Sequence, residues 1–237
     1  MPEDDQNAED GAGSKAAAPE RIDIEAIYAI LSRTYPTFDE TENAWVANGL
    51  SATPFHNLVS TCLSTMTHTN RVIRACVPLY EKVSTFEELL ALDDEELRTV
   101  ITPVAHYNRK TRNLKIMCRQ ILDDHGGEIP RSRAELMTLQ GVGGKVADIM
   151  LNFVFEQPSI AVDTHVLRVL SRLGLVKTAS AESAAKIIAE ITPARYLRHA
   201  HEWLIQHGMK VCVSRRPACE VCPITRYCTY FRELHSA

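Results

Sequence analysis

No stretch of the 237 residues approaches the roughly 20 consecutive apolar positions that a membrane helix needs. That excludes a helical membrane span. The first 20 residues lack the basic-then-apolar profile of a secretion signal, being acidic and rich in alanine. We therefore expect a protein that stays in a reducing compartment, where structural disulfides are uncommon. No internal repeat is detectable, so a solenoid is not expected.

Charge is also missing locally rather than overall. The formal net charge of -4 argues at first against a polyanionic partner. Yet Glu3, Asp4, Asp5, Glu9, Asp10 and Glu20 all lie in the first 20 residues, against the single base Lys15. Subtracting these from totals of 30 acids and 26 bases leaves a nearly neutral body of 24 acids and 25 bases. Within it, residues 101–120 contain Arg109, Lys110, Arg112, Lys115 and Arg119 and no acid, and a second basic group, Lys210, Arg215, Arg216 and Arg226, lies near the C-terminus. Clustered bases on a neutral body suit a polyanion, although a pair of solvated faces reads equally well from charge alone.

Of seven cysteines, Cys62, Cys76 and Cys118 stand apart, whereas Cys212, Cys219, Cys222 and Cys228 fall within 17 residues. Four thiolates so close can converge on one metal centre. Their spacing includes one Cys-x-x-Cys claw instead of the usual two, and this leaves structural zinc and an iron–sulfur cluster both open.

Apolar residues recur at helical intervals along most of the chain, and only residues 159–162 look extended, so the class is all-α. Thr53-Pro54 reads as an N-cap and first-turn pair, Ser84 with Glu87 has capping-box spacing, and acids from Asp93 to Glu96 open another helix. One helix spans about 108 to 125 and stops at Gly126-Gly127. Another is expected over 196–207, with Gly208 as its stop.

Between two short helices lies Leu139-Gln140-Gly141-Val142-Gly143-Gly144-Lys145. Glycines there permit a tight hairpin that aims backbone N–H groups outward, ready for a phosphate. A nucleotide-binding Walker loop is excluded, because position 139 is Leu and Val146 stands where a hydroxyl is needed; the dinucleotide fingerprint fails as well. Lys145 opens the second helix, where the helix dipole disfavours a cation, and an amine freed of its proton can attack an electrophilic carbon. In Val162-Asp163-Thr164-His165, Asp163 stands at another helix start, where capping is its commonest role. A carboxylate opposite a helix-terminal lysine would also stabilise a sugar oxocarbenium ion.

These three motifs together resemble the endonuclease III family of helix-hairpin-helix DNA glycosylases, from about Pro54 to Cys228. The resemblance implies a two-lobed fold: a helical barrel over 51–157, and a second lobe from 21–50 with 158–237 that carries an iron–sulfur cluster loop, after an unstructured acidic tail at 1–20. It implies a 4Fe-4S cluster on Cys212, Cys219, Cys222 and Cys228, and a bifunctional glycosylase and abasic-site lyase acting on oxidised pyrimidines in base excision repair. Lys145 would be the nucleophile and Asp163 its catalytic partner. Contacts to double-stranded DNA carrying damaged bases or abasic sites would come from Gly141, Val142, Gly143, Gly144, Met66, His106, His165 and Lys210. The protein would be a monomer, cytoplasmic and nucleoid-associated if bacterial. Departures are also present: Met66 replaces the family's gap-filling glutamine, Ala105-His106 replaces Gly-Leu, and Gly144 stands where arginine is frequent. They leave open a non-catalytic or redox-sensing DNA-binding protein with altered lesion recognition.

Overall fold

The computed structural model describes residues 22–38 and 43–236, so the expectation for the acidic tail lies outside the described residues. Within them the α-helices are α1 (Ile24–Thr34), α2 (Ala44–Ala47), α3 (Pro54–Ser64), α4 (Thr69–Tyr80), α5 (Phe86–Ala91), α6 (Asp94–Val100), α7 (Tyr107–His125), α8 (Arg133–Leu136) and α9 (Gly144–Ile149), the last running on into a π-helical turn, Met150–Val154. They continue with α10 (Thr164–Leu173), α11 (Ala181–Ile191), α12 (Ala194–Leu197), α13 (Ala200–Lys210) and α14 (Thr229–His235). The all-α class holds. Residues 159–162, read as extended, form an irregular connector and pair with no strand. No described helix is long and apolar enough to cross a membrane.

Local signals placed most helix ends. Thr53 accepts the His56 N–H and Pro54 occupies the first turn of α3, while Asp93 caps α6 and Gly126, in the left-handed region, ends α7. Three readings need correction. The cap of α5 is one residue later than expected: Thr85 accepts from Glu88 N, and the Glu88 carboxylate reaches back to the N–H and hydroxyl of Ser84. The helix expected over 196–207 is two, α12 and α13, because the chain turns between them. Gly208 does not stop α13 but lies within it, and a Cβ there would stand 3.0 Å from the His165 carbonyl oxygen. Its role is to let α13 lie against α10.

Two hydrophobic clusters organise the chain. The first runs from Leu50 to Leu151 and centres on α3, α4 and α7, with Leu58, Leu63, Leu79, Leu114 and Met117 almost completely buried. The second joins α1 to the chain after residue 159, through Tyr28, Leu31, Val166, Leu170, Leu204 and Ile224. The α8–α9 hairpin belongs to the first cluster and α10 to the second, so the residues at their N-terminal ends meet where the clusters meet.

The basic stretch of 101–120 is only partly a surface feature. Lys110 and Lys115 are both 6% exposed, and their ammonium groups donate to backbone carbonyls: Lys110 to Leu63 and Thr65, Lys115 to Leu90 and Leu92. Arg109, Arg112 and Arg119 remain outside.

Candidate active site

Lys145 follows the hairpin glycines as the second residue of α9, and Asp163 is the N-cap of α10. The Lys145 Nζ stands 3.3 Å from Asp163 Oδ2. The other carboxylate oxygen accepts the His165 and Val166 N–H groups at 2.9 and 3.0 Å. Asp163 therefore caps a helix and faces the lysine at once, so the two roles are not alternatives. Burial works to raise its pKa, but the Lys145 charge, the Val166 N–H, His201 and the Lys145 hydrogen bond together hold it below the usual carboxylate value. The carboxylate is 13% exposed and the lysine 34%, an arrangement open to a substrate on the lysine side.

His201, from α13, completes the floor of the site. It is 4% exposed and its Nδ1 lies 2.8 Å from the Ala161 carbonyl. Burial first, then the nearby Lys145 charge, push its pKa down to about 4 against a smaller opposing pull from Asp163. At neutral pH the ring is uncharged, so Nδ1 must carry the proton that it donates to Ala161. This bond fixes the connector two residues before Asp163.

The hairpin itself turns on Gly141, at φ +88, where an added Cβ would press on the Asn113 side chain. Val142 is buried and acts as the hairpin's anchor, not as a surface contact; Gly143 is exposed and Gly144 half-buried. Beside Gly144 lies a network that sequence reasoning missed. Arg133 bonds Asp148 through Nε at 2.8 Å and Glu182 through Nη1 and Nη2 at 2.6 and 2.7 Å, and Asp148 also accepts from Ser159. A Cβ on residue 144 would meet Arg133 Nη2 at 2.6 Å and Glu182 Oε2 at 2.7 Å, so a side chain there would displace the ends of this ion pair. The network ties α8, α9, α11 and the connector together around the Lys145–Asp163 pair. Asp148, an acid on the buried face of an apolar helix three residues after Lys145, is the one signal that could have revealed it.

The remaining candidates divide into three places. His165 packs against Gly208, and its Nδ1 lies 3.3 Å from Arg168. Lys210 is exposed at the end of α13, above the Tyr35 ring. Met66 is 80% exposed and His106 is exposed, and both adopt left-handed φ values, 54° and 58°, that non-glycine residues seldom take.

Cys212, Cys219, Cys222 and Cys228 line one cavity, and none is in a disulfide. Among the described residues no group of three or more His, Cys, Asp or Glu side chains could hold a single metal ion. Burial, and then the mutual repulsion of neighbouring thiolates, raise the pKa of Cys222 and Cys228. Polar groups approach from two sides: Arg172 Nη1 donates to the Cys212 sulfur at 3.4 Å, and His207 Nε2 lies 3.7 Å from that of Cys222.

Three comparisons with known proteins bear on this geometry. Residues 59–194 match the family model described as HhH-GPD superfamily base excision DNA repair protein. Endonuclease III of Rickettsia felis is 34% identical over 202 residues, covering 85% of this chain and 95% of that protein; Endonuclease III of Escherichia coli K12 is 36% identical over 179 residues, covering 76% and 85%. A solved structure described as a trapped Endonuclease III–DNA covalent intermediate superposes with a TM-score of 0.78 at 30% identity, covering 90% of this chain and 98% of that one.

Proposed function

The chain belongs to the endonuclease III family within the HhH-GPD superfamily of base excision DNA repair proteins, and from that premise we propose that it is a bifunctional DNA glycosylase and abasic-site lyase. The observation that carries the reading is the 3.3 Å pairing of Lys145 with Asp163 at the junction of the two hydrophobic clusters. A retained nucleophile with its carboxylate favours catalysis over a purely DNA-binding role.

The substrate is duplex DNA bearing an oxidised pyrimidine or an abasic site, with the damaged nucleotide everted into the groove between the lobes, 51–157 on one side and 21–50 with 158–237 on the other. The exposed backbone at Gly143 and the cations Arg109, Arg112 and Lys210 are suited to phosphates. The carboxylate of Asp163 stabilises positive charge growing on the sugar as the base leaves. Lys145 Nζ attacks C1′ as the bond to the base breaks, Asp163 takes the proton that the amine sheds, and opening of the C1′–O4′ bond with protonation of O4′ leaves the amine joined to C1′ as an imine. The resulting imine acidifies the neighbouring C2′ proton, and its loss expels the 3′ phosphate. His201 and the Arg133 network keep the two side chains facing each other.

The cysteine set fits a 4Fe-4S cluster: four thiols line one cavity, burial and then neighbouring thiols raise the pKa of Cys222 and Cys228, and Arg172 and His207 lie beside the sulfurs. Such a group would cross-link the loop and hold Lys210 and Arg215 toward the DNA backbone. Iron and sulfide analysis of the purified protein checks this, and zinc in their place would refute it.

Borohydride should trap a covalent adduct with a duplex carrying an abasic site, and Lys145→Gln should abolish it, with lyase turnover down by about a thousandfold or more. Asp163→Asn keeps a good helix cap, so folding and binding should survive while base removal slows by about a hundredfold or more. An adduct that persists in Lys145→Gln, or unchanged turnover in Asp163→Asn, would overturn the assignment.

A further inference from the structure

Lys110 belongs by sequence with the phosphate-facing bases, but its side chain does something else. Its ammonium donates to the Leu63 carbonyl at 2.7 Å, the Thr65 carbonyl at 2.7 Å and the Thr67 hydroxyl at 3.1 Å, so all three N–H bonds are satisfied by one turn, the turn that carries Met66. The same Thr67 hydroxyl oxygen accepts the Ala105 N–H at 3.1 Å, next to His106. One buried lysine and one threonine thus join the two exposed left-handed residues, although these lie 40 positions apart in the chain. Beneath the turn is a cavity of about 320 Å³ walled by Leu63, Thr65, Lys110, Asn113 and Gly141.

Backbone held in a sparsely populated conformation persists only where the surroundings over-determine it, and two such residues on turns that share one hydroxyl point to use. Apolar and aromatic side chains thrust between bases fill the gap when a nucleotide is everted. We infer that Lys110 is a positioning residue: it locks the Met66 and His106 turns into one rigid two-pronged wedge that occupies the space an everted nucleotide leaves in the duplex. The inference rests on the DNA-repair reading for the purpose of the wedge, but the clamp itself is a property of the free protein. Burial, the largest influence, pulls the Lys110 pKa down to about 8 with Arg109 and Arg71 adding to it and Cys62 opposing. The lysine keeps its third proton at neutral pH and so can serve all three acceptors.

The test uses Lys110→Met in the full chain. In the free protein, hydrogen exchange of residues 63–68 and 104–107 should quicken together by about tenfold or more, while exchange in α10 and α13 stays unchanged. Excision of thymine glycol opposite 2-aminopurine should fall about a hundredfold, and the 2-aminopurine signal that reports gap filling should be lost. Cleavage of a single-stranded abasic oligonucleotide, which leaves no gap to fill, should stay within about twofold of the parent protein. Unchanged exchange in both segments, or equal losses on duplex and single-stranded substrates, would overturn the clamp. A parent protein inactive on both substrates would defeat the repair reading alone, with exchange still deciding the clamp. Should Lys110→Met not fold, Thr67→Val removes the shared hydroxyl at constant shape; selective loss of duplex excision supports the proposal, and parent-like exchange and excision overturn it.

Discussion

From Leu50 to Leu151 a continuous set of buried apolar side chains surrounds α3 and α7, whereas between residues 211 and 235 only Ile224 is buried. The first region is held by the hydrophobic effect, which needs no exact partner for any one residue. The cysteine loop is held by a few directed contacts: Arg168 on the Cys212 carbonyl, Arg172 on the carbonyls of Val213 and Ser214, and the Thr225 hydroxyl on those of Cys219 and Cys222. Such bonds each stabilise by only about 1 kcal/mol, so this loop is the region that the proposed cluster would stabilise most. Both arginines also belong to α10, the helix that Asp163 caps. Disorder in the loop therefore has a short mechanical route to the Asp163 carboxylate, while disorder in the first core does not.

Breaking ligation should expose this difference most sharply. Binding by thiolates contributes on the order of 10 kcal/mol to the segment that provides them. Cys222→Ser should make residues 211–228 open to protease and lower metal content, with the main thermal transition of the first core preserved. A protected loop with full metal content would contradict the comparison. Next in size, Leu58→Ala, at a fully buried position of α3, should cost about 2–5 kcal/mol in denaturant unfolding without altering metal content. A simultaneous loss of metal would show that the two regions unfold as one.

The smallest effect sharpens the comparison through pH. His201 in the second cluster has a folded pKa of about 4 against an ordinary 6.5, so the unfolded chain takes up the proton first as pH falls. Its contribution to stability is complete above pH 6.5 and is lost between 6.5 and about 4, at up to about 1.4 kcal/mol per pH unit. Unfolding followed across that window should show the second cluster weakening before the first, and His201→Gln should reduce the slope, the remainder coming from buried His207, whose pKa is likewise pushed down to about 4. A slope that the substitution leaves unreduced would place its origin elsewhere.

Much of this was legible in the residues because caps and turns are decided within three or four positions. Thr53, Asp93, Gly126 and the 139–145 hairpin all behave as their local chemistry requires. Errors arose where a partner lies far along the chain: Gly208 was read as a stop because its neighbour across the interface is His165, and Lys110 and Lys115 were read as surface charge because their acceptors lie 23 to 47 residues away. The Arg133, Asp148 and Glu182 network escaped for the same reason.

By itself, the order of amino acids determined that this protein is helical, where most helices begin, and that an amine, a carboxylate and four thiols were candidates for chemistry, since residue type and short-range spacing suffice for each. Tertiary structure alone decided which lysine faces an acid and which is sealed among carbonyls. The fate of a cation depends on the dielectric and the acceptors that distant segments bring to it, and no local pattern encodes those.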